Sequence, residues 1–178
     1  MKASLSVHVV WIAAVSASVG CGELFRIDEC SDEAANQISR AHSLVAIFWS
    51  SLEGKLGFLS GRERRMRSRW NITRVRCIDK EDPCENDSGL FGLANGWGND
   101  IRVCWNNLQQ KELCDLVNVL VHEKAHTDKV PVLPGHSAPD DFPWVRPFDP
   151  VYRAGAVAEE ECRTTWKSNG ITLSQSSP

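Results

Sequence analysis

The sequence is short of charge of one sign, of long apolar runs and of tyrosine. Its 20 Lys and Arg stand against 23 Asp and Glu, a net charge of −3. A general nucleic-acid binder would be clearly basic, so that partner class is excluded. No apolar run reaches the roughly 20 residues that a membrane-spanning helix needs. The longest, "LSVHVVWIAAVSASV" from Leu5 to Val19, is broken by His8 and by serines. No Cys-x-x-Cys occurs, which leaves a zinc ribbon or a thioredoxin-like site without support. There are no internal repeats, and 178 residues suggest one domain. One tyrosine stands against seven tryptophans, for which packing is the only physical account.

What is present begins with an export signal. Lys2 supplies a small positive region, the apolar run follows, and small residues surround a cleavage point. Residues 1–20 therefore read as a signal peptide, and 21–178 as one domain with a polar tail from about Ser168. Cys21 in "SVGC" resembles a bacterial lipoprotein signal, in which the residue after cleavage is a lipidated cysteine. Such signals usually carry Leu three residues earlier, where this chain has Ser18, so plain secretion after cleavage near Gly20 stays open. A lipid on Cys21 would be the sole membrane attachment, with the domain outside the bilayer.

The remaining six cysteines, Cys30, Cys77, Cys84, Cys104, Cys114 and Cys162, form an even set that suits three disulfides in an oxidising compartment. The economical pairing joins Cys77 to Cys84 and Cys104 to Cys114, leaving Cys30 with Cys162. Sequons at Asn71 and Asn86 matter only in a eukaryotic secretory host.

Periodicity sketches the elements. Ser31 to Leu52 reads as a helix capped by Ser31, with Ala34, Ile38, Ala41, Val45, Phe48 and Leu52 on one face and Gly54 as the stop. His42 lies beside that face and suits a structural or surface role. The arginine run "GRERRMRSRW" reads as a phosphate contact or, more plainly, as a solvated face. Asn71 to Ile78 alternates as a strand. "GLFGLANGWGNDIRVCW" suggests two strands, with Asn95-Gly96 a hairpin signal and Ile101, Val103 and Trp105 on one face. Asn106 and Asn107 are candidate caps for the next helix. Asp149-Pro150 opens a last helix with Val151, Ala154, Ala158, Cys162 and Trp166 inward.

The helix after Asn107 ends in "LVNVLVHEKAH", which holds His-Glu-x-x-His at His122, Glu123 and His126. Histidines four apart on a helix project from one side and can reach one ion at about 2.0–2.1 Å. A carboxylate one residue on stands beside a metal-bound water, whose pKa the ion lowers toward about 7, and can take its proton. The order of glycine-flanked strand, apolar helix and motif resembles the zincin superfamily of zinc metallopeptidases, over roughly Gly89 to Cys162. That resemblance implies an α+β fold with a small mixed sheet. It also implies an edge strand holding an extended peptide substrate, zinc as cofactor, and endopeptidase activity with Glu123 as general base.

A catalytic zinc takes three protein ligands and an open position. His136, in "PGHSAPDDF", is the first candidate for the third, and Glu161, bordering the inner face of the last helix, is the rival. Asp141 and Asp149 complete the field. The stricter pattern with a histidine six residues after the motif is absent, and so is its glycine, because Lys129 occupies that place. Tyr152 is a candidate hydrogen-bond donor to a developing oxyanion. Lys124 departs from the uncharged middle positions of zincins. It falls on the Leu113–Val117–Leu120 stripe, away from the histidines, and is expected to run its stem to solvent. Lys124 also supports the alternative, a catalytically degenerate zincin-like surface lipoprotein acting as a binding module. A zinc hydrolase of non-peptide amides or esters fits the motif as well.

Overall fold

The computed structural model describes residues 25–80, 84–87, 89–94, 98–137, 141 and 145–168. The expected signal peptide, Cys21, Asn95-Gly96 and the tail beyond Ser168 lie outside them. The first strand, β1 (Arg26–Asp28), leads to the long helix α1 (Asp32–Lys55). Ser31 caps α1 by accepting from the Ala34 N–H at 3.2 Å. The helix runs through Gly54 rather than stopping there, and it ends at Lys55. The arginine run forms α2 (Arg62–Ser68), and β2 (Arg74–Cys77) follows a 3-10 turn at Trp70–Ile72. Then come β3 (Gly92–Ala94), β4 (Asp100–Val103) and the one-turn α3 (Trp105–Leu108). The motif helix α4 (Leu113–Thr127), the short α5 (Val145–Phe148) and α6 (Pro150–Ser168) complete the order.

The sheet has the order β1-β2-β4-β3. β1, β2 and β4 are parallel, and β3 pairs antiparallel to β4 at the edge. Strand alternation turns Val75, Cys77, Ile101 and Val103 onto the helices and Arg74, Arg76, Asp100 and Arg102 to the other face. Trp105 does not extend the inner row, because the chain turns into α3 after Cys104. α1, α4 and α6 pack on one another and on the sheet. Ala34, Ile38, Ala41, Val45 and Leu52 of α1 meet Val117, Leu120 and Val121 of α4 and Val151, Ala154 and Ala158 of α6. Each fully buried Val, Leu or Ile contributes roughly 1.5–3 kcal/mol. Gly155 marks the closest approach of α6 to α4: a Cβ there would stand 2.2 Å from Asn118 Oδ1 and 3.0 Å from its carbonyl oxygen.

The six cysteines pair in chain order, first with second, third with fourth and fifth with sixth, and not as the expected Cys77–Cys84, Cys104–Cys114 and Cys30–Cys162. The bonds are Cys30–Cys77, Cys84–Cys104 and Cys114–Cys162. Strand order explains the first, since Cys30 and Cys77 leave adjacent strands, and the α4–α6 contact explains the third. Three disulfides fit an oxidising compartment. Among the described residues no helix is long and apolar enough to cross a membrane.

Candidate metal centre

α4 starts at a capping box. Asp115 Oδ2 accepts from the Glu112 N–H at 3.0 Å, and the Glu112 side chain accepts in return from the N–H of Asp115. Glu112 is thus the cap, while Asn106 and Asn107 sit one element earlier, in α3. Arg163 of α6 binds Glu112, Asp115 and Glu159, fixing the register of the two helices.

His122 and His126 project from one side of α4 with ring centroids 5.0 Å apart. The loop after α4 returns His136 to them. Its Nε2 lies 2.9 Å from His126 Nε2, and its ring centroid 5.4 Å from that of His122. One ring nitrogen from each of the three falls within 4.8 Å of the others, the one such three-residue grouping among the described residues. Nitrogens sharing a tetrahedral zinc stand about 3.3 Å apart, so small ring rotations close this set on an ion.

Burial, with His126 and His136 adding to it, drops the His122 imidazole from 6.5 to about 3. Burial and His136 likewise bring His126 down to about 4. Both rings are therefore neutral at pH 7, the state that ligates metals. The donor set fits a divalent transition metal.

Asp149 supports the loop that carries His136. Its Oδ1 caps α6 by accepting from the N–H of Val151 at 2.8 Å and of Tyr152 at 3.3 Å. Its Oδ2 accepts from the Leu133 N–H at 2.6 Å and lies 3.1 Å from His136 Nδ1, off the line of a straight hydrogen bond. The cap was legible in Asp149-Pro150; the contact with the histidine was not. Tyr152 packs its ring 4.7 Å from both His122 and His136 and donates its hydroxyl to the His136 carbonyl at 3.1 Å.

Glu123 is buried, and burial lifts its carboxyl from 4.5 to about 8, against the opposing pull of Arg102. Edge strand β3 lies directly on it. A Cβ at Gly92 would stand 2.9 Å from both Glu123 Cγ and Oε1, so only glycine fits without displacing that side chain. A glycine inside a strand hints at such an approach, but the partner was not readable.

No family model, curated protein or solved structure matches the chain.

Two expectations are corrected. Lys124 does not reach solvent. It is fully buried, with its ammonium 2.5 Å from Asp128 Oδ2 and 3.3 Å from Thr127 Oγ1. Asp128 Oδ1 in turn lies 3.1 Å from Arg69 and 3.3 Å from Arg65. Glu161 borders the inner face of α6 as expected, but its carboxylate meets Lys55 at 2.5 Å and is no part of the histidine grouping. Asp141 is likewise outside that grouping. His42 is structural: stacked between Phe25 and Trp70, it bonds the Trp70 carbonyl through Nε2 at 3.1 Å.

Proposed function

We propose that this chain is an exported zinc-dependent endopeptidase of the zincin type. The observation that carries the proposal is the meeting of His136 with His122 and His126, beside a buried Glu123 that lies under an edge strand. The three imidazoles would hold zinc. When bound, zinc supplies Lewis acidity and lowers the pKa of a water toward about 7.

The chain's own residues do the rest. Glu123, whose environment favours the protonated carboxyl, takes a proton readily and returns it to a leaving amine. β3 pairs with β4 on one side, and its other edge offers backbone groups to an extended peptide. Asp149 orients the loop bearing His136. Tyr152 holds the same loop through the His136 carbonyl and, on releasing that bond, is the donor to a developing oxyanion. Export as a secreted chain or as an envelope lipoprotein anchored at Cys21 belongs to this proposal.

The rival, a degenerate scaffold used only for binding, drew its support from Lys124. With Lys124 paired to Asp128 on another side of the helix, the residue neither faces the histidines nor forbids a buried motif helix. The deciding variant is Glu123→Gln. It should bind one zinc per chain and lose proteolysis by about 10²–10⁴-fold. Proteolysis at the parent rate in that variant, or a parent protein that takes up no zinc, overturns the proposal.

A further inference from the structure

A second site for a ligand lies at the end of the sheet where β1, β2 and β4 begin. A cavity of about 290 Å³ is lined by Arg26, Arg69 and Arg74 with Ile72, Gly98, Asn99 and Asp100. Arg26 and Arg74 are register partners on the adjacent strands β1 and β2, so their Cα atoms are about 4.8 Å apart in the hydrogen-bonding direction. Like charges placed opposite one another repel unless an anion lies between them.

The chain supplies only part of that anion. Arg74 gives its Nε to Asp28 at 2.5 Å. Arg69 gives one terminal nitrogen to Asp128 at 3.1 Å and the other to the Gly98 carbonyl at 3.3 Å. The Arg26 guanidinium donates to no described residue. Asp128 is already shared with Lys124 and Arg65. The cavity residues and their bonded partners bring three arginines, Arg26, Arg69 and Arg74, against three carboxylates, Asp28, Asp100 and Asp128, and the other two partners of Asp128, Arg65 and Lys124, raise the cations of the network to five. Arg76 and Glu29, 3.8 Å apart, add one of each sign nearby.

We propose that this cavity binds a tetrahedral oxyanion, a phosphate or sulfate group, between the guanidinium forks of Arg26 and Arg74 with Arg69 at its side. Planar guanidinium groups match such anions two bonds at a time, and the excess of two cations gives the group its counter-charge. The site is independent of the histidine cluster.

Thermal unfolding of the full chain tests it, in inorganic phosphate, inorganic sulfate or acetate, each balanced with sodium chloride to constant ionic strength. Phosphate and sulfate stabilise many proteins by exclusion from the surface, so the decisive quantity is a difference between variants. Binding should raise Tm saturably in the parent protein and equally in Arg40→Ala, which removes an exposed cation of α1. Arg26→Ala, or Arg26→Gln if the first does not fold, should need about tenfold more anion for the same rise. Response to phosphate alone, sulfate alone or both supports the site and identifies the anion. An equal response in the Arg26 variant, acetate as effective as phosphate, or no rise beyond chloride overturns it.

Discussion

Two sides of α4 carry buried ionisable groups, and they differ in what they lack. On one side, three imidazoles gather with the Asp149 carboxylate behind them and no lysine or arginine among them. On the other, Lys124, Arg65 and Arg69 surround the single carboxylate of Asp128. The first is short of a positive ion and the second of negative charge. A buried polar group signals a ligand through the deficit in its surroundings, more than through burial itself.

The largest effect should come from breaking the cationic side. Asp128→Ala strands Lys124 in the interior and should cost about 3–5 kcal/mol in urea unfolding. Lys124→Met leaves Asp128 with its arginines and should cost at most about half as much. Equal costs would mean that Lys124 is not held by Asp128. Neither change should alter zinc stoichiometry, because the histidines are elsewhere on the helix.

The histidine side responds to a gentler change. Asp149→Asn keeps a competent helix cap but removes the charge beside His136, so zinc affinity should fall about 10–100-fold in a chelator competition. An unchanged affinity would reduce Asp149 to its capping role. Gly155→Ala presses on Asn118 between α4 and α6. Overpacking of about 1–3 kcal/mol is partly offset by the roughly 1 kcal/mol that alanine gains in a helix. A net loss of stability should follow; a gain would show that the helices separate freely.

The smallest effect belongs to His42, which lies in neither region. Burial holds its pKa below 6.5, with the Trp70 carbonyl opposing. The folded pKa is depressed, so the stability from neutral His42 is complete above pH 6.5 and is lost as pH falls toward the folded value. His42→Gln should remove that share of the acid sensitivity. A stability–pH curve of unchanged shape would refute it.

The three long helices were legible because each repeats apolar residues at helical spacing, with a cap at Ser31 or Asp149. The histidine pair was legible for the same reason, since spacing on a helix fixes direction. The disulfide partners were not: consecutive cysteines pair across 47, 20 and 48 residues, set by which strands and helices become neighbours, and the shortest possible loops are a poor guide to that. Lys124 was read correctly as pointing away from the histidines. Its partner, Asp128, stands four residues on, at a spacing that pairs opposite charges. Gly92 could be seen as a glycine in a strand, but what rests on it, Glu123, belongs to the later helix α4.

One bond has a bearing on survival among proteases. Cys114 and Cys162, 48 residues apart, close a covalent ring that contains His122, Glu123, His126 and His136. The chain is open to attack between the ligands, where Lys129, Pro131 and Val132 are exposed. A single nick there divides the backbone without parting the two fragments, and all three imidazoles stay on one particle until a reductant opens the ring.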